Sequence, residues 1–195
     1  RQYLQIIMSE SERLTALIEN VLDFAKVERG KAAYAFAPGD VGEAVGRAVE
    51  IFAHRAEREE MTVSLSLSPH LPRAMVDARA LELATINLID NAFKYAKEGG
   101  KVEVFVSAIP GKVQVRVRDH GPGIDGDDYE RIFERFFRGK RTDQQVRGSG
   151  IGLALVKHIA ESHGGGVSVT DIVEKLDAVP GRMGSDPVYF PVATW

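Results

Sequence analysis

The 195-residue chain contains no cysteine, which excludes disulfides and any chemistry that runs through a thiol. It has no apolar run near the roughly 18 residues needed to span a bilayer. Nothing at its start reads as a signal peptide, so the expected location is cytosolic. A basic excess is also missing, since 25 Lys and Arg stand against 28 Asp and Glu, a net charge of −3. Nucleic-acid binders usually carry a strong positive balance, so nucleic acid is not an expected partner. The five histidines (His54, His70, His120, His158 and His163) show no metal-ligand spacing and read as structural or surface residues. What is present is an apolar fraction of 44% and a charged fraction of 27%. Those values suit one well-buried globular domain with an appendage.

Residues 1–28 lack Pro and Gly and read as one long helix. Leu4, Ile7, Leu14, Ile18, Val21 and Ala25 follow a 4-3 spacing with Ser11 the one polar member, a narrow stripe of the kind found in helix bundles. A helix lying on its own domain is the plainer alternative. After Gly30 the pattern changes. Residues 34–37 read as a short strand ended by Pro38-Gly39, and Asp40 can cap a helix running to about Glu59, with Val45, Val49, Phe52 and Ala56 inward. Residues 61–67 alternate as a strand with Val63, Leu65 and Leu67 on one face. Asp77 caps a second helix that ends at Glu98-Gly99-Gly100. Residues 101–108 and 112–119 form a hairpin around Pro110-Gly111. A short helix over 127–137, a polar loop over 139–147, a helix over 151–162 and a strand over 167–173 follow. This order predicts an α+β fold, a two-layer sandwich in which a mixed sheet is covered by helices on one face.

The helix after Asp77 carries the most informative stretch, Asn87-Leu88-Ile89-Asp90-Asn91-Ala92-Phe93-Lys94-Tyr95. At about 100° per residue, Asn91 falls about 40° from Asn87, Lys94 about 20° the other way, and Tyr95 at about 80°. Thr85, Leu88, Ile89, Ala92, Phe93 and Ala96 cover the opposite side. Paired Asn is unusual on a solvated helix face, because Asn is a weak helix former. Two amides with a cation one turn on suit a hydrated metal ion and phosphate oxygens; a structural role for the helix is about equally expected from this motif alone.

Two glycine motifs lie downstream, Asp119-His120-Gly121-Pro122-Gly123 and Gly148-Ser149-Gly150-Ile151-Gly152-Leu153. The first lets backbone approach a ligand closely, beside a carboxylate able to accept from an amino group. A plain turn Asp is the competing explanation. The second opens a helix, whose exposed N–H groups form an anion site, and Gly152 allows close packing at the helix start. Between them lies Ile132-Phe133-Glu134-Arg135-Phe136-Phe137-Arg138, whose three Phe read equally as lid anchors or as core aromatics.

Together and in this order, these segments resemble the ATP-binding domain of sensor histidine kinases, whose motifs run approximately N-L-x-x-N-A-x-K-Y, D-x-G-x-G and G-x-G-x-G-L. The resemblance covers nearly the whole chain and weakens after about residue 170. It implies a Bergerat-type ATP-binding fold over residues 31–195, binding ATP or ADP with Mg²⁺. It also implies a lid over about 124–147, with Arg138, Lys140, Arg141 and Arg147 supplying charge. By the same resemblance Asn91 is the metal ligand, Asn87 its neighbour near the phosphates, Lys94 a phosphate contact and Tyr95 part of the pocket wall. Asp119 takes the adenine amino group; Gly121, Gly123 and Ile124, and then Gly148, Ser149, Gly150, Ile151, Gly152 and Leu153, line the nucleotide.

Residues 1–30 resemble the second helix of the family's dimerisation and phosphoacceptor hairpin, through which a homodimer is implied, with a response regulator as downstream partner. The family's acceptor histidine sits on the first helix, in a setting like H-E-x-R-T-P, and none of the five histidines has such neighbours. The expectation is therefore a cytosolic kinase fragment, or the cytosolic part of a membrane-bound sensor, that does not phosphorylate itself in cis. Two departures keep an ATPase of the same superfamily, or a nucleotide-binding module without kinase activity, as alternatives. Where relatives often have Glu or Gln one turn before Asn87, this chain has Leu83, and Glu82 points about 140° away. The tail 171–186 lacks the family's G-x-G-T-x-F element, although residues 187–192 can form an edge strand.

Overall fold

The computed structural model describes residues 34–95, 97–124, 126–129, 131–139, 149–172 and 183–191. The chain divides into two compact units, Arg1–Tyr34 and Ala35–Trp195. The helix expected over residues 1–28 lies outside the described residues, as do Gly148, Lys140, Arg141 and Arg147. The second unit carries the described fold.

Valine alternation builds the sheet. Strand β4 (Lys101–Ile109) and strand β5 (Lys112–Asp119) form the expected antiparallel hairpin, turned at Pro110-Gly111 with Gly111 at φ +70°. Val102, Val104, Val106, Val113, Val115 and Val117 are buried, while Glu103, Phe105, Arg116 and Arg118 alternate with them on the other face, as a period of two requires. Strand β2 (Thr62–Leu67) adds to β4 in parallel, so the sheet is mixed. It is an edge strand, and Leu67, expected inward, is half exposed there.

Helices supply the apolar layer, with Val41, Ala44, Val45 and Ala48 of the first of them, Val41–Ile51, buried. Helix α3 (Ala78–Tyr95) contributes Leu81, Ala84, Leu88, Ile89 and Phe93, and helix α4 (Gly152–Ser162) contributes Leu155, Val156 and Ile159, all buried. Asp77 caps α3 by accepting from Arg79 N and Ala80 N at 2.9 and 3.0 Å. Asp40 likewise caps α1 (Val41–Ile51), accepting from Glu43 N at 3.1 Å. The α+β architecture with helices on one sheet face is thus the one expected.

Several boundaries differ. The helix expected from Asp40 to Glu59 is interrupted at Phe52, and α2 spans Ala53–Arg58; the interruption coincides with the seating of the Phe52 ring on Phe93, centroids 5.3 Å apart. Strand β1 is Ala37–Gly39, not 34–37, because it pairs with β3 (Ala74–Val76) in a separate two-stranded ribbon. A ribbon tolerates Pro38, which has an open side for its missing N–H. Gly39 is required there, since a Cβ would sit 2.8 Å from Val76 Cγ2. In place of an α-helix over 127–137 the chain makes two single 3₁₀ turns, Gly126–Asp128 and Arg131–Phe133.

The tail departs furthest from expectation. The strand expected over 167–173 is two pieces, β6 (Gly166–Val167) and β7 (Thr170–Ile172). Strand β8 (Met183–Pro191) is no edge strand: it lies between β5 on one side and β6 and β7 on the other. Pro187 stands opposite Arg116 of β5 on one side and opposite the two-residue break between β6 and β7 on the other.

Candidate nucleotide site

The polar face of α3 is held in place by its own backbone and by α4. Asn87 is largely buried and donates from Nδ2 to Leu83 O at 2.9 Å. A Cβ on Gly152 would come 2.9 Å from Asn87 Oδ1, so glycine lets the start of α4 reach this amide without displacing it. Asn91 is half-buried one turn on, and its side chain makes no hydrogen bond among the described residues. Tyr95 lies 39% exposed at the helix end. Burial pushes its phenol up, while the nearby Arg138 guanidinium pulls the other way, which places Arg138 within electrostatic reach of the helix end.

Lys94 takes a position that periodicity alone does not show. Its ammonium is paired with the Asp90 carboxylate, and Asp90 Oδ1 also accepts from Arg55 Nη1 of α2 at 2.7 Å. The Asp90–Lys94 pair has the i, i+4 spacing that favours such contacts, so it was available to inspection of the motif. The Arg55 contact, 35 residues away in sequence, had no local signal.

The first glycine motif forms a tight turn at the end of β5. Asp119 Oδ1 accepts from Gly121 N at 2.8 Å, so the turn role weighed against adenine recognition is present in the structure. His120 Nε2 lies 3.0 Å from Glu103 Oε2, and the Glu103 carboxyl is held below its usual range by Lys101 first and then His120. Any Cβ on Gly99 would fall into the His120 backbone, so the 3₁₀ turn Lys97–Gly99 after α3 packs directly on this motif. Gly123 takes φ +74°, and Ile124 beside it is half-buried.

The second glycine motif is fastened to the phenylalanine segment. Phe136 N donates to Gly150 O at 2.9 Å, and Gly150, at φ +68°, would place a Cβ 2.8 Å from the Phe136 backbone. Phe136 is 72% exposed with φ +61°, and Phe133 and Phe137 are half-buried, so none of the three is a core aromatic. Phe137 instead stacks under Arg131, 4.4 Å from guanidinium to ring centroid. Ser149 Oγ accepts from Ile151 N at 3.4 Å. Ile151 is the N-cap of α4 and supplies no side-chain cap to the first turn, leaving N–H groups of the kind that bind anions. Leu153 is half-buried in that turn.

Two charges that can be mistaken for catalytic groups are already engaged. Glu82 accepts from Arg47 Nε at 3.1 Å, away from the Asn face, as its helical angle implies. His163 is buried and structural: Nε2 accepts from Asp77 N at 3.0 Å, which assigns its proton to Nδ1, facing Ile159 O at 2.7 Å. Burial pushes its pKa down.

Residues 76–186, more than half of the chain, match the family described as histidine kinase-, DNA gyrase B- and HSP90-like ATPases. The chain belongs to that family. Within it, several similar proteins are named as histidine kinases. Drug sensory protein A of Synechocystis sp. is 32% identical over 173 residues, covering 84% of this chain and 26% of that protein. The signal transduction histidine-protein kinase/phosphatase MprB of Mycolicibacterium paratuberculosis is 32% identical over 168 residues, covering 86% of this chain and 31% of that protein. Among solved structures, full-length ShkA in complex with AMPPNP superposes with a TM-score of 0.78 at 30% identity, over 100% of this chain and 39% of that one. The chain thus spans about a quarter to a third of the length of these two curated relatives. The histidine-kinase resemblance of the motifs agrees with these findings, and the family's ATP-binding character applies to this chain.

Proposed function

We propose that residues 31–195 form the catalytic ATP-binding domain of a two-component sensor histidine kinase, and residues 1–30 the second helix of its dimerisation hairpin. The observation that carries this reading is the packing of Asn87 on Gly152, which puts an amide-bearing helix face against an uncapped helix start. Amide oxygens and free N–H groups together suit Mg·ATP. Asp119 then takes the adenine amino group, and Gly121, Gly123 and Ile124 line the base. Lys94, Arg138 and the first turn of α4 bind phosphate, and Tyr95 walls the pocket.

Asn91 has a part-exposed amide with no competing hydrogen bond among the described residues, which fits a magnesium ion that keeps most of its waters. Bound there, the ion neutralises charge on the terminal phosphates. The chain's own residues position the γ-phosphoryl group, and among the described residues Glu82, the acidic residue nearest before Asn87, is held by Arg47. These features favour transfer over the ATPase alternative. In the transfer, the bond between the γ-phosphorus and the β,γ-bridging oxygen breaks, a bond to a histidine nitrogen forms, and ADP leaves. The acceptor histidine lies on a hairpin helix outside this chain, the hairpin makes the kinase a homodimer, and a response regulator takes the phosphoryl group on. The setting is cytoplasmic, in keeping with the lack, among the described residues, of a helix long and apolar enough to cross a membrane.

The test is incubation of the chain with γ-labelled ATP, alone and with a separate phosphoacceptor hairpin. Acid-labile label is expected on the added hairpin and not on the chain. Label on any of the five histidines of the chain by itself would overturn the assignment of the acceptor to another segment.

A further inference from the structure

We propose that Asp90 and Arg55 are positioning residues that set how readily Lys94 is released to phosphate. The inference rests on the assignment of Lys94 to the phosphates made above. Asp90 holds the Lys94 ammonium through one carboxylate oxygen and Arg55 Nη1, at 2.7 Å, through the other. Arg55 is itself fixed from three sides: its Nε donates to Glu59 Oε1 at 2.8 Å, and its guanidinium lies 5.0 Å from the Phe93 ring centroid and 6.0 Å from that of Phe52. A planar guanidinium held by an ion pair and two aromatic faces keeps its geometry. The carboxylate is therefore shared between Arg55, which is held from three sides, and Lys94.

Sharing has an electrostatic consequence. Lys94 sits on the Asn87 side of the helix, and its ion-pair partner is Asp90. Incoming phosphate competes with that carboxylate for the ammonium. Arg55 neutralises much of the Asp90 charge, so it loosens the grip on Lys94 and reduces repulsion of the phosphates. Without Arg55, Asp90 would carry its full charge toward both Lys94 and the nucleotide. Without the Asp90 charge, Lys94 would have no competing anion. The two variants should therefore move nucleotide affinity in opposite directions. A merely structural role for the network would weaken binding in both.

The experiment is calorimetric titration of the full chain with Mg·ATP and Mg·ADP, using Arg55→Met, Asp90→Asn and each of these combined with Lys94→Met. Arg55→Met keeps the aliphatic packing on Phe93 and should weaken ATP binding about tenfold, the size expected for one charge-assisted contact. Asp90→Asn should strengthen it about threefold. In the Lys94→Met background both effects should shrink to less than twofold, because coupled residues are non-additive. Thermal melts identify any unfolded variant, in which case Arg55→Lys replaces Arg55→Met. Weaker binding by both single variants, or full effects retained without Lys94, would overturn the proposal. A wild-type chain that bound no nucleotide would instead remove the site assignment on which it stands.

Discussion

The two ends of the nucleotide site are built on opposite plans. At the end assigned to the base, the protein satisfies its own polar groups. Asp119 bonds the Gly121 amide, His120 meets Glu103, and Gly99 backs directly onto His120. At the end assigned to the phosphates, Lys94 is paired with Asp90 and Asn87 with Leu83 O, yet other polar groups are left to a ligand. The start of α4 has no side-chain cap, the Asn91 side chain has no hydrogen bond among the described residues, and Gly150 leans on a segment whose Phe136 is mostly exposed. A flat neutral base is recognised by a fixed frame. A charged, hydrated group is better met by donors that water serves until it arrives.

The strongest way to break this contrast is at Gly99. A valine side chain in its place would enter the His120 backbone, which has no flexible end to yield. Gly99→Val should cost about 3 kcal/mol or more in unfolding free energy, as overpacking against backbone does. Gly100→Ala, by contrast, meets no atom within 4 Å and is strained only by its φ of +64°, so it should cost about 1 kcal/mol. Equal losses in urea melts would show that the frame at the base end is soft.

Asp119→Asn sharpens the same contrast. The amide oxygen can still accept from Gly121 N, so the turn and the melting temperature should survive. Nucleotide affinity should fall by about 1–3 kcal/mol, the usual effect of mismatching a polar partner. Unchanged affinity by calorimetry would leave Asp119 with its turn role alone.

At the other end, Asn91→Ala should lower affinity by about 1 kcal/mol in Mg²⁺ and leave metal-free ADP binding much less affected. If the losses matched with and without Mg²⁺, Asn91 would be touching the base or supporting the fold.

The smallest effect is a pH dependence shared by both ends through the start of α3. Burial holds His163 below the usual histidine range, and the same cause lowers His158. The unfolded chain takes up these protons near pH 6.5 while the folded one resists. Stability is therefore full above about pH 6.5 and declines as pH falls below it. Asp77 and Glu103 are lowered too, and their contribution is lost only as pH falls below the carboxylate range, about pH 4. Denaturant midpoints at about pH 7.5 and about pH 5.5 should separate the two windows, with a flatter slope in His163→Gln. A slope identical to wild type would mean that His163 does not titrate between the folded and unfolded states.

What the sequence made legible was local. Helix α3 follows from its apolar period and the Asp77 cap, and the β4–β5 hairpin from valine alternation and Pro110-Gly111. Neither needs information from elsewhere in the chain. The phenylalanine segment misled because its spacing imitates a helix turn, while Gly150 pulls Phe136 to φ +61°. Strand β8 misled more, since two prolines normally mark an edge and nothing near residue 187 reveals the gap opposite it. In the site, the amides, glycines and Asp119 could be picked out by motif. The partners of the neighbouring carboxylates, Arg55 on Asp90 and Arg47 on Glu82, lie 35 residues away and could not.

The internal position of β8 also dictates an order of events during synthesis. β6 and β7 pair in the sheet with β8, which in turn is the strand that joins them to β5. On a ribosome, every described strand and helix before β8 emerges while this sheet still lacks its bridge. Among the described residues, β6 and β7 have no strand partner but β8, so they cannot pair until it has left the exit tunnel. Closure of the sheet is therefore the last step, and a chain stalled or clipped after Ile172 loses three strands by losing one.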